Sequence, residues 1–234
     1  MKKIISSIIV FVLIFVINVT KDELINVINK SFASPVIAYD ISEIPEYFGN
    51  PYIYLNDNKP NFTEDDYNLD EFESYSSLDY LGRCGVAFAN IGKSLMPTEE
   101  RTSIGMVKPT GWQTVKYDIV DGKYLYNRCH LIGFQLTGEN ANEKNLITCT
   151  RQMNADVMLD FENEVANYLK ETSNHVLYRI TPVFEEDNML AKGIILEASS
   201  VEDKGKSISY NVFIYNVQDG IEIDYKTGKS NLKK

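Results

Sequence analysis

Apolar residues run almost unbroken from Ile4 to Val19 behind Lys2 and Lys3, and only beyond residue 34 do apolar and polar positions settle into short alternating stretches separated by turns. The first pattern is that of an export signal rather than of a folded element. Ser31-Phe32-Ala33 offers a small-x-small cleavage site, although its distance from the apolar run leaves an uncleaved N-terminal anchor as the other outcome. The run is shorter than the roughly 20 apolar residues that span a bilayer.

Past this leader, residues 34–80 mix Asp, Glu, Asn and Tyr around one strand-like run, Tyr52 to Leu55, closed by Asn56-Asp57-Asn58. This reads as an acidic arm leading into a domain over 81–234. Small and β-branched residues from Arg83 to Ile91 predict a buried strand that Gly92 and Pro97 close. Val115, Tyr117 and Ile119 alternate with polar neighbours over Trp112 to Val120, the period of a half-buried strand. Asp121-Gly122 then predicts a hairpin turn, and a returning strand, Lys123 to Cys129, delivers His130 at its end. After a polar loop over 138–144, Val157, Phe161, Val165, Tyr168 and Leu169 follow helical spacing. The helix runs from Asn154 to Lys170, with Asn154 as N-cap and Asp156 in the first turn. Three alternating runs, 175–184, 189–201 and 207–217, read as an antiparallel meander. The expected fold class is α+β: a ββα unit around His130 against a larger antiparallel sheet. Nothing marks a repeat, a low-complexity linker or a second domain.

The net charge of −10, near −12 without the leader, argues against a partner that is itself a polyanion. Its distribution changes that picture. Residues 34–100 hold three basic and thirteen acidic side chains, whereas 101–133 carry Arg101, Lys108, Lys116, Lys123 and Arg128 against Asp118 and Asp121. The positive stretch surrounds His130; the plainer reading is solvated charge on strand faces. Three cysteines, Cys84, Cys129 and Cys149, leave at least one unpaired and exclude a scaffold built on disulfides. A bridge between Cys84 and Cys129 is conceivable, but its geometry is not legible in sequence.

With two histidines in the chain, His130 stands out for its place at a strand end within Asn127-Arg128-Cys129-His130, twenty-four positions before Asn154. Phosphodiester hydrolysis needs a base for water, charge on the phosphoryl oxygens and relief for the leaving oxygen. A neutral histidine suits the first need. A hydrated Mg2+ ion suits the others and asks for only one or two protein oxygens, such as the Asn154 amide. Each residue also has an ordinary role: Asn154 as a helix cap, His130 as a strand-end histidine, Glu162 as a solvated helix residue, His175 as a strand start without a partner. A Cys129–His130 dyad is disfavoured because neighbours on a strand point to opposite faces. No phosphate-cradling Gly loop, nucleophile elbow, HExxH or paired CxxC occurs.

Three runs carry a resemblance: Tyr126 to Gly133 (YNRCHLIG), Glu139 to Thr148 (ENANEKNLIT) and Thr150 to Asn154 (TRQMN). Together with Leu81 to Ala87 and His175 to Arg179, they resemble secreted bacterial members of the DNA/RNA non-specific endonuclease family, the His-Me finger or ββα-metal nucleases, over most of residues 45–230. The resemblance implies His130 as general base, Asn154 as the magnesium-binding Asn, Asn145 as a support of the metal site, and Glu162 near a metal-bound water. Arg128 would contact phosphate or the departing group, with Asn127 and Arg151 as further substrate contacts. It further implies Mg2+ as cofactor with Mn2+ able to substitute, no organic cofactor, DNA as substrate with RNA beside it, 5′-phosphate products, and a secreted or cell-surface location. A membrane would be met only through an uncleaved leader. Backbone phosphates rather than base edges would be read, hence no sequence preference.

Two positions depart from the family's D-R-G-H: Asn127 stands for Asp and Cys129 for Gly. Cys149 also stands where relatives commonly carry Gly, and a left-handed backbone there would cost roughly 1–2 kcal/mol. That feature and the acidic surface keep open an alternative, a nucleic-acid-binding surface protein of the same fold with weakened catalysis.

Overall fold

In the computed structural model, residues 44–68 and 70–234 are described; the expectations for the leader, its cleavage site and its anchoring fall on 1–33, outside the described residues. Six antiparallel strands form the main sheet in the spatial order β1 (Tyr52–Tyr54), β8 (Ser209–Tyr215), β7 (Gly193–Ser200), β6 (Val176–Val183), β3 (Ala87–Ile91), β2 (Phe72–Tyr75). The meander expected from alternation is therefore β6, β7 and β8. Glu186 and Lys204, both at positive φ, lie in the turns between them.

Register explains how one face becomes the core. Ala87 lies opposite Ile180, Ile180 opposite Leu196, and Leu196 opposite Val212, so one row of side chains crosses four strands. Onto this face packs helix α2 (Leu159–Glu171) through Val165, Ala166 and Leu169, all fully buried. Each such burial is worth roughly 1.5–3 kcal/mol for the larger side chains, which holds a helix too short to persist alone. The segment 34–80, expected as an approach arm, instead supplies over its described part both edge strands of the sheet, β1 and β2. Its acidic, turn-rich composition fits edges that face water.

The ββα unit is also rearranged. Trp112 to Val120 is not a strand; its only ladder contact is a single Lys116–Tyr124 bridge beside the turn at Gly122, which has φ +68°. Val115 and Tyr117 spend their apolar faces on a satellite cluster with Leu125, Leu190 and Ile221, while Ile119 is exposed. The partner of β4 (Tyr126–His130) is β5 (Leu146–Thr150), reached through a connection that contains α1 (Phe134–Thr137). The remaining ribbon, β9 (Ile221–Ile223) with β10 (Ser230–Leu232), extends the satellite cluster through Ile221.

Cys129 and Cys149 sit diagonally across the β4–β5 ladder, with Cα atoms 5.9 Å apart, and form a disulfide; Cys84 is free and buried. The conceivable Cys84–Cys129 bridge is thus replaced by one between adjacent strands, where the Cα separation matches disulfide geometry. Closing a loop of this length should contribute about 3 kcal/mol. Reduction, or Cys149→Ser, is expected to lower the urea midpoint accordingly; an unchanged midpoint would show that the bridge contributes nothing to stability.

Candidate active site

β4 alternates between core and cleft. Cys129 points into the main core, while His130 and Arg128 line a cleft of about 330 Å3 with Arg101, Gly133, Gln135, Arg151, Asn154 and Glu162. His130 is only 6% exposed, and its Nε2 lies 2.7 Å from the backbone carbonyl of Asn140. A carbonyl can only accept, so Nε2 carries the hydrogen and the neutral ring keeps its lone pair at Nδ1. Nδ1 is 3.5 Å from an Arg101 guanidinium nitrogen. Burial pushes the His130 pKa below 6.5, the Asn140 carbonyl opposes that shift, and the positive charge of Arg101 adds to it. The ring is thereby fixed, neutral and oriented, as a base for water requires.

Asn154 was expected to cap the helix, and it does not. The Thr150 hydroxyl accepts the Met153 N–H at 3.1 Å and does the capping, so the helical path begins before Asn154. Asn154 sits instead inside a π-helical segment, Gln152–Met158, that precedes α2. Such widened turns recur at functional sites because they displace a side chain from the regular helical path. Here the half-buried Asn154 side chain lines the cleft.

Glu162, two turns further on, meets the same cleft against the backbone of Gly133. A Cβ at Gly133 would lie 2.5 Å from Glu162 Oε2, so a side chain there would displace the carboxylate from its present position. Burial raises the Glu162 pKa to about 7, partly offset by the Gln135 amide and Arg101. Enclosure therefore favours the protonated carboxyl at Glu162.

The other expected residues divide by position. Arg128 stacks on Trp112, 3.9 Å from ring centre to guanidinium carbon, and donates to the carbonyls of Val107 and Gly105, yet still lines the cleft. Arg151 lines it too while paired to Asp121 at 2.8 Å. Asn127 lies one step out, in a recess adjoining the cleft. Asn145, expected to support the metal site, is fully buried away from the cleft lining: Oδ1 accepts Ile132 N–H at 2.9 Å and Nδ2 donates to Ile132 O at 3.0 Å. It clamps the chain that leaves His130 toward Gly133, a positioning geometry. His175 lies elsewhere, between Glu71 and Glu202 at 3.2 and 2.6 Å.

Arg101 was read only as one charge in a basic stretch. It comes from a loop with no periodicity, and its charge was the sole signal available. The backbone-strain concern at Cys149 is corrected: Cys149 lies within β5, and the residues with positive φ do not include it. That removes one of the two grounds for a catalytically weakened binding protein.

Among the described residues no group of three or more His, Cys, Asp or Glu side chains could hold a metal ion. A cation in this cleft would therefore rest on the Asn154 amide oxygen, with Glu162 reached through water. So sparse an oxygen set fits a hard, hydrated divalent ion and not a multidentate zinc site.

NucA from Streptococcus agalactiae, solved with a magnesium ion bound, superimposes with a TM-score of 0.71 at 23% identity, over 92% of this chain and 97% of that one. Sda1 nuclease, solved with a bound zinc ion, gives 0.62 at 26% identity, over 79% and 97%. A structure described as an extracellular endonuclease gives 0.55 at 18% identity, over 80% and 100%. These neighbours share the antiparallel sheet and ββα-metal arrangement. Residues 62–202 match the family model for DNA/RNA non-specific endonucleases, and the chain belongs to that family.

Proposed function

We propose that the chain is an exported, Mg2+-dependent endonuclease that hydrolyses DNA and RNA without sequence preference, with His130 as general base. One observation carries the reading: the His130 ring is held through Nε2 by the Asn140 carbonyl, which puts the Nδ1 lone pair, facing an Arg101 guanidinium nitrogen at 3.5 Å, in a cleft also lined by Asn154 and Glu162. His130 Nδ1 takes a proton from water, the water oxygen bonds to phosphorus, and the bond from phosphorus to the 3′ oxygen breaks. The 3′ oxygen leaves with a proton from solvent, and the 5′ side keeps the phosphate. Arg128 and Arg151 bind backbone phosphate, and Arg101 keeps His130 unprotonated. Asn127 contacts the strand beside the cleft.

Asn154 and, through water, Glu162 would hold the ion, which when bound supplies positive charge for the phosphoryl and leaving oxygens. Magnesium in one neighbour and zinc in another support a divalent ion. The sparse oxygen donors favour Mg2+, with Mn2+ as substitute. The basic apolar leader and neighbours described as extracellular support export.

Plasmid DNA and ribosomal RNA incubated with the purified protein test this. Degradation of both is expected with Mg2+, loss with a chelator, and recovery on adding Mg2+ or Mn2+. Undiminished digestion in the chelator would overturn metal dependence, and intact substrates in saturating Mg2+ would overturn the enzyme reading.

A further inference from the structure

Adjoining the cleft is a wider recess of about 500 Å3 that shares Arg101, Arg128, Arg151 and Asn154 with it and is closed outward by Trp112 and Tyr124. Three guanidinium groups line it, one of them, Arg151, paired to Asp121 at 2.8 Å, in a chain whose net charge is −10. Both outer aromatics carry a cation over the ring: Arg128 on Trp112 at 3.9 Å, and Lys116 Nζ on Tyr124 at 4.3 Å. Tyr124 remains 47% exposed, and the Lys116–Tyr124 bridge fixes the pair in register. Tyr124 precedes His130 by six residues along the direction of β4, about 20 Å at strand spacing. Tyr124, at the far side of the recess, therefore lies to one side of His130 rather than against it.

A half-exposed ring with a cation over one face keeps its other face for a base, the chemistry of grooves that bind single strands: the ring stacks a base and nearby cations meet the phosphates. A paired base has both faces covered by its neighbours and reaches such a ring only after leaving the stack, at an energetic cost.

We propose that this recess is a nucleobase subsite in which Tyr124 stacks an unpaired base of the strand being cleaved while Lys116 and Arg151 meet its phosphates. The consequence is a preference for single-stranded or locally melted nucleic acid over closed duplex. This rests on the nuclease reading above and adds a substrate preference to it.

The test is steady-state cleavage in Mg2+ of three labelled substrates: a single-stranded oligodeoxynucleotide, a hairpin duplex, and a single strand of equal length with abasic nucleotides. Tyr124→Ala is expected to raise KM for the base-bearing single strand about tenfold while leaving the duplex and the abasic strand within about twofold of wild type, given the usual worth of one base–aromatic stack. Tyr124→Phe, which keeps the ring, should behave as wild type. Cleavage of the duplex serves as the check that Tyr124→Ala has folded. Equal losses on all three substrates, or no change on any, would overturn the subsite. Failure of the wild type to cleave any of them would overturn the nuclease reading itself.

Discussion

His130→Ala is expected to lower kcat by about 10²- to 10⁴-fold, the usual worth of a positioned general base, with KM for DNA little changed. The loss should not be made good by water. The Asn140 carbonyl and the walls of the cleft hold the ring at one orientation, and a solvent molecule in its place would not be fixed with a lone pair toward the reacting water. The pH profile separates this role from a merely structural one. Only neutral His130 can accept a proton, so activity falls as pH drops through its pKa. Because burial and Arg101 push that pKa below 6.5, the acid limb of kcat/KM, which reports the free enzyme, should lie below pH 6.5. Arg101→Ala removes the neighbouring charge and should move the limb upward in pH, whatever it does to the maximal rate. A His130→Ala protein active to within about tenfold of wild type would remove histidine from the mechanism.

How much of this could be read from the chain depends on whether a residue's role is local. The meander was legible because the runs that become β6, β7 and β8 are seven or eight residues long, rich in β-branched and aromatic residues, and set apart by the turn-forming stretches Glu186-Asp187-Asn188 and Asp203-Lys204-Gly205. β5 was not: Leu146 to Thr150 is only five residues long, with no turn dipeptide between it and the helical run that follows. Trp112 to Val120 shows the opposite error. Val115 and Tyr117 do face apolar neighbours, but in a satellite cluster and without a ladder, a distinction that periodicity cannot make. The edge strand β1 was legible as the run Tyr52 to Leu55, whereas β2 was hidden by the acidic composition that suits an edge.

The cleft was legible in the same uneven way. His130 and Asn154 were singled out through their spacing and the family resemblance, and they do line one cleft. The reason given for Asn154 failed, since Thr150 caps the helix and a π segment presents the Asn. Arg101 and the Asn140 carbonyl, the two groups that set the state of His130, come from loops in which no pattern marks either one. Only the closure of the chain brings them to the imidazole.

The second large effect concerns the face of the sheet turned away from α2. Along β7, Ile194, Leu196 and Ala198 enter the main core, so Ile195, Glu197 and Ser199 point to the other side. There Glu197 meets Arg179 of β6 at 2.8 Å, with side chains 1% and 5% exposed. The segment before β2 closes over them: Asn61 N–H donates to Glu197 at 2.8 Å, Arg179 donates to Asn61 O at 3.1 Å, and Phe62 lies 4.7 Å from the guanidinium. Removing one partner leaves a desolvated charge, so Glu197→Ala is expected to cost about 3–5 kcal/mol in chemical denaturation, a large part of the stability of a typical domain. Replacing both, as Arg179→Met with Glu197→Leu, should recover most of that loss, because a packed apolar pair needs no compensation for desolvation. Since the pair lies across the sheet from α2, kcat per folded molecule should stay at the wild-type value in both variants. A Glu197→Ala protein destabilised by less than about 1 kcal/mol would mean that Arg179 reaches water or another acceptor once its partner is gone.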